Sequence, residues 1–149
     1  MKRVLICWLI LLLLFTSTAL GAEENSTTSR DIEGAIEVQM IVEPRYAYLA
    51  YMTIGLDIDA NGHLWYTGSA NAANRNLRIT VTLQRSANGV FWDELEAMIK
   101  TGYGDVVTGS SRNVSEDDYF YRAKIVAEVL DANRNVIETA TGYSDSKRY

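Results

Sequence analysis

The chain has 149 residues, with 14 basic and 19 acidic side chains, a net charge of −5 and a single cysteine, Cys7. One cysteine excludes a disulfide scaffold and a thiolate zinc centre. An acidic chain is also a poor partner for nucleic acid or anionic lipid, whose recognition needs clustered Lys and Arg.

Lys2 and Arg3 precede an almost unbroken apolar run, Val4 to Phe15, and a small-residue exit at Ala19-Leu20-Gly21-Ala22. This layout predicts a secretory signal peptide over residues 1–22, with an apolar core too short to span a bilayer. The expected product is secreted and extracellular, with no stable membrane insertion once the signal is removed. Removal takes Cys7 away and lowers the basic count from 14 to 12 against 19 acidic residues, a net charge near −7. The remaining 127 residues of the 149 are enough for one domain with its own core.

Residues 23–34 are polar and rich in Ser and Thr without periodicity, which reads as a flexible leader. The domain is expected over 35–145, with 146–149 as a C-terminal tail. Asn25-Ser26-Thr27 and Asn113-Val114-Ser115 fit the N-glycosylation pattern, which occurs often by chance.

From Ile36 the pattern has period two. Ile36, Val38, Met40 and Val42 alternate with polar residues as in a half-buried strand, and Pro44, the only proline, is placed to end it. A second strand should point Met52, Ile54, Leu56 and Ile58 inward, and Asn61-Gly62 supplies turn chemistry for a hairpin. The next strand runs from His63 to Ala70, followed by a polar loop from Asn71 to Asn76. Leu77, Ile79, Val81 and Leu83 give the cleanest alternation, and Asn88-Gly89 closes another hairpin.

Residues 90–100 fit two readings. Phe91, Trp92, Leu95, Met98 and Ile99 lie at helical spacing, whereas a strand would put Phe91, Leu95, Ala97 and Ile99 on one side. Their place directly after a tight turn favours strand. A weaker strand follows from Val106 to Val114. Tyr119, Tyr121, Ala123, Ile125, Ala127 and Val129 then share one face of a long strand. Asp131 to Asn135 turns the chain into a last strand, Val136 to Tyr143. Short strands at regular spacing with turns between them predict an all-β, antiparallel immunoglobulin-like β-sandwich of seven to eight strands.

The run Tyr121-Arg122-Ala123-Lys124-Ile125-Val126-Ala127, with the turn and strand after it, resembles the last two strands of fibronectin type III and related immunoglobulin-like domains. In that family a tyrosine opens the penultimate strand and packs back on the preceding corner; the match allows Tyr119 or Tyr121, with Tyr121 better placed, and implies that it points inward. A second set of features occurs in order: Pro44-Arg45-Tyr46, Leu56-x-Ile58 with its Gly62 turn, Leu83-Gln84 before Asn88-Gly89 and an aromatic, and Tyr121-Arg122 leading to Glu138. In this the chain resembles small uncharacterised secreted proteins of Gram-positive bacteria with such a sandwich. The likeness spans Pro44 to Ser144 and implies a fold without an activity.

Several constellations carry chemical meaning. Asp57-Ile58-Asp59-Ala60-Asn61-Gly62 matches the first half of a calcium loop, making Asp57, Asp59 and Asn61 a weak metal candidate. Gly68 stands where the bidentate glutamate belongs. His63 is the only histidine, too few for a histidine metal centre and poorly placed for a nucleophilic triad. Glu94 with Glu96, and Asp117 with Asp118, are neighbours on one segment, not carboxylates facing across a cleft as glycoside hydrolysis requires.

The aromatics remain. Nine tyrosines, with Trp65 and Trp92, exceed what a small core needs. A three-residue hairpin loop pairing Asp59 with His63 buries Leu64 and Tyr66 and turns Trp65 outward. A two-residue loop sets Trp65 across from Ile58, in the core. The first keeps more apolar groups inside. The expected function is a non-enzymatic binding or adhesion-type module. Its ligand is a glycan or a surface protein, bound through Trp65 and Trp92, with no cofactor and no nucleic acid. The alternative is a calcium-stabilised structural or envelope-associated domain.

Overall fold

The computed structural model describes Val38–Ile41, residues 46–115 and residues 118–149, all within the unit Ile32–Tyr149. The expected signal peptide, the leader, Pro44 and Asp117 lie outside the described residues. Among those described there are seven strands and no helix: β1 (Val38–Ile41), β2 (Leu49–Ile58), β3 (His63–Ser86), β4 (Asp93–Asn113), β5 (Phe120–Leu130), β6 (Val136–Tyr143) and β7 (Lys147–Arg148). All belong to one antiparallel sheet that curls on itself.

The β2–β3 hairpin follows from its turn chemistry. The Asp59 N–H donates to the His63 carbonyl at 3.0 Å, and the Gly62 N–H donates to the Asp59 carbonyl at 3.0 Å. Three residues therefore separate the paired positions, and Gly62 takes φ 75°, a conformation that costs glycine least. Register then pairs Ile58 with Leu64, Asp57 with Trp65 and Leu56 with Tyr66. Leu64 and Tyr66 are buried and Trp65 faces outward, half-buried. Met52, Ile54 and Leu56 are buried as the alternation predicts, while Ile58 is half-buried near the hairpin end.

The expected polar loop from Asn71 to Asn76 is instead part of one strand of 24 residues. Ala72 pairs with Gly104 and Asn76 with Tyr103, so Ala73, Asn74 and Arg75 form a bulge within β3. Asn74 adopts φ 56°, which Asn tolerates better than most residues. The polar run was misread because a bulge needs turn-type residues without ending the ladder. Before the bulge β3 pairs with β2, and after it with β5, while β4 follows it on both sides.

The bulge lets the strand curl, so that its two halves present buried rows to each other. Gly68 marks the closest approach: a Cβ there would lie 2.7 Å from Val81 Cγ2 and 2.9 Å from Ile125 Cδ1. Around this point lie Leu77, Ile79, Val81 and Leu83 of β3, Met52 and Ile54 of β2, and Tyr121 and Ile125 of β5.

β4 is also one strand, not two. Its 21 residues join the ambiguous segment to the weaker strand after it, so strand is the correct reading for Asp93 onward. The face was misassigned. Leu83 pairs with Glu96 and Gln84 with Glu94, leaving Leu95 as a bulge that reverses the alternation. Leu95 and Met98 pack on the core, Ile99 is 67 % exposed, and Phe91 lies before the strand, 78 % exposed.

Tyr121, Ala123, Ile125, Ala127 and Val129 of β5 are all buried, as expected from their alternation, with Tyr119 half-buried beside them. The presumed tail forms β7: Phe120 pairs with Arg148 and Tyr121 with Lys147, and the Tyr149 N–H donates to the Tyr119 carbonyl at 3.0 Å. Lys147 Nζ reaches Asp57 Oδ1 at 2.7 Å, fastening β7 to β2.

Candidate functional site

An outward cluster is built on the second half of β3 and the strands beside it. With Tyr121 inward, Arg122 projects outward, and its Nε donates to Gln84 Oε1 at 2.8 Å. The Arg122 guanidinium lies 4.0 Å from the centroid of Trp92 and 4.3 Å from that of Tyr143. Burial holds Arg122 below its ordinary value, with Tyr143 opposing, yet it stays charged at neutral pH. Lys124, two residues along, pairs with Glu94 at 3.5 Å.

The loop leading into Trp92 is rigidly capped. Ser86 Oγ accepts from the Gly89 N–H at 2.9 Å, and Asn88 Oδ1 accepts from the N–H groups of Val90 at 2.9 Å and Phe91 at 3.0 Å. These bonds hold Val90 and Phe91 out at the hairpin tip, 68 % and 78 % exposed. A hydrophobic tip thus adjoins a cation held between two aromatic rings, a combination suited to stacking and hydrogen bonding.

Trp65 does not join this cluster. Its ring meets His63 edge-on, with centroids 4.1 Å apart, and His63 Nδ1 lies 2.6 Å from Asn113 Oδ1. The neighbours of Trp65 across the sheet are Asp57 and Ser111. Trp65 and Trp92 sit in separate environments and share no partner among the described residues.

The oxygen ligands of the partial calcium loop have other work. Asp59 Oδ1 accepts from the Asn61 N–H at 2.8 Å and the His63 N–H at 2.9 Å, and Asp57 pairs with Lys147. Those bonds, the His63 one foremost, hold the Asp59 carboxyl below its ordinary value. Among the described residues no group of three His, Cys, Asp or Glu is arranged to hold a metal ion.

The same turn occurs a second time. Asp131-Ala132-Asn133-Arg134-Asn135 repeats Asp59-Ala60-Asn61-Gly62-His63: Asp131 Oδ1 accepts from the N–H groups of Asn133 and Asn135, each at 2.8 Å. The Arg134 N–H donates to the Asp131 carbonyl at 3.0 Å, and Arg134 has φ 67° where the first turn has glycine. The Asp-Ala-Asn motif is thus a hairpin device used twice.

Glu138 has a structural role that its sequence position did not reveal. Its carboxylate accepts from three successive backbone N–H groups, Ala47 at 2.7 Å, Tyr48 at 3.2 Å and Leu49 at 2.8 Å, and so anchors the start of β2 on β6. Arg122 and Tyr143, missed as site residues, were signalled indirectly. An outward Arg beside an inward Tyr must meet whatever the neighbouring outward row presents.

Comparison with protein-family models, with curated proteins and with solved structures finds no match. The fold therefore defines the protein only as far as its class, an all-β antiparallel protein with a curled sheet.

Proposed function

We propose that this protein is a secreted, non-enzymatic binding module, with an immunoglobulin-like sandwich arrangement, that takes a glycan or another surface protein as its ligand. The observation that carries the reading is Arg122 held between Trp92 and Tyr143 beside the exposed Val90-Phe91 tip. Ordered aromatic and guanidinium groups on a strand surface lose little entropy on binding, as hot-spot residues require. Trp65 is a secondary contact, half-buried beside His63.

The alternative of a calcium-stabilised domain has less support, because Asp57 and Asp59 are already engaged. The test is a glycan array and a panel of surface proteins, probed with the parent chain, Trp92→Ala and Trp65→Ala. Trp92→Ala should weaken binding by about tenfold or more, the loss of a hot-spot side chain. Binding that survives both substitutions, or turnover of any polysaccharide on the array, would overturn the proposal.

A further inference from the structure

β4 is an edge strand for its whole length: β3 is its only partner among the described residues. Long edges are templates for another chain, and proteins commonly blunt them with proline or short length. This edge has 21 residues and no proline, and its irregular points are the Leu95 bulge and Gly104 at φ 72°. Its outward row carries three large apolar side chains, Ile99, Tyr103 and Val107, which are 67 %, 64 % and 65 % exposed. Several other outward aromatics have a partner, with Arg75 over Tyr48 and Arg122 over Trp92 and Tyr143. Tyr103 has none among the described residues.

The spacing of these three residues has the symmetry that pairing with a second copy would need. Ile99 and Val107 each lie four positions from Tyr103, so the row is symmetric about it. We infer that β4 pairs antiparallel with β4 of a second copy of this chain, about a two-fold axis passing through Tyr103. A two-fold axis normal to the sheet requires facing residues to point the same way. The centre must then fall on a residue, with partners equally distant from it.

Centring on Tyr103 sets Tyr103 against Tyr103 of the second copy and Ile99 against the second copy's Val107. Thr101 faces Asp105, Ala97 faces Gly109, and Lys100 on the inner row faces Val106, so no like charges oppose. Shifting the centre to Gly102 sets Ile99 against Asp105, and shifting it to Gly104 sets Tyr103 against Asp105. Centring on Thr101 leaves Ala97 against Asp105, and centring on Asp105 opposes the two Asp105 carboxylates, so only the Tyr103 centre pairs Ile99, Tyr103 and Val107 wholly among themselves.

Asp105 is prepared for this register. Its Oδ1 already accepts from Tyr51 Oη at 2.6 Å and Asn71 Nδ2 at 2.7 Å, which leaves Oδ2 for the second copy's Thr101 hydroxyl. The curl is also compatible, because rotation about an axis normal to the sheet preserves the direction of curvature. The two curled sheets then continue into each other across the interface.

The test uses the full chain carrying Cys7→Ser, purified from an exporting host, so that any introduced thiol is the only one. Tyr103→Cys places the thiol on the axis, where facing Cα atoms lie about 4.5–5.5 Å apart, within disulfide range. It should cross-link about tenfold faster than Ser111→Cys, on the same row but far from the axis, because pairing raises its effective concentration. A mixture of Ile99→Cys and Val107→Cys chains should form the mixed disulfide in preference to either symmetric one. The parent should sediment as a dimer, and Tyr103→Lys as a monomer with an unchanged circular dichroism spectrum. A monomeric parent, a dimer that survives Tyr103→Lys, or equal cross-linking at 103 and 111 would overturn the inference.

Discussion

At the residue scale the twin turns invite direct comparison. Gly62 and Arg134 occupy the same position with φ 75° and φ 67°, but only one is a glycine. A left-handed conformation costs an L side chain on the order of 1 kcal/mol. Arg134→Gly should therefore stabilise the protein by up to about 1 kcal/mol, less the entropy that glycine adds to the unfolded chain. Gly62 allows no reciprocal change. A Cβ there would meet the Val114 carbonyl oxygen at 2.5 Å and the Tyr149 hydroxyl at 2.6 Å. Urea melts of Arg134→Gly and Gly62→Ala should shift in opposite directions, and a common direction would refute the shared-turn account.

The turn carboxylates also set an acid limit. Asp59 and Asp131 both have carboxyls held below their ordinary value, Asp59 chiefly by the His63 N–H and Asp131 chiefly by Asn135. A lowered folded pKa means that the unfolded chain binds protons first as pH falls. The stabilisation is therefore complete above the unfolded carboxylate value of about 3.9 and is lost as pH falls through the lower folded values. Glu128, lowered chiefly by its bond from Arg78, acts in the same direction. Melting temperature should be flat near neutrality and fall below about pH 4. Asp131→Asn keeps the acceptor oxygen and should flatten part of that fall, and an unchanged acid limb would show that the turn contributes nothing.

At the element scale, what could be read from sequence depended on whether local pattern or pairing decided the outcome. The three-residue β2–β3 loop was legible because the alternative would have exposed Leu64 and Tyr66. The inward row of β5 was legible because nothing interrupts its alternation. The lengths of β3 and β4 were not, since a bulge is written in the same polar residues as a loop. Only the neighbouring strand shows that the ladder continues through Ala73–Arg75 and Leu95. The site follows the same division: Trp92 was found as an aromatic, but Arg122 and Tyr143 become its partners only through the register of β5 with β3 and β6. Glu138 belongs with the illegible features, because its three backbone donors are some 90 positions away. Glu138→Ala should cost on the order of 1–3 kcal/mol, the loss of charge-assisted hydrogen bonds. Hydrogen exchange should then speed up at Ala47, Tyr48 and Leu49 first, and protection that persists there would deny the anchoring role.

For the whole molecule, β3 is the common template of the sheet, and this shapes the order in which the fold can be assembled. During synthesis its first half finds β2 already made, and β4 follows directly across a short loop. Its second half must wait for β5, whose first residue, Phe120, lies 34 positions after Ser86, the residue it finally faces. Until then the edge of the Leu77–Leu83 row stands open, with its apolar side chains uncovered. Late pairing of this kind slows folding and leaves an intermediate prone to self-association. Closing that gap is therefore the step expected to be slow, and substitutions within β5 that weaken its docking should reduce the yield of soluble protein more than their effect on equilibrium stability alone accounts for.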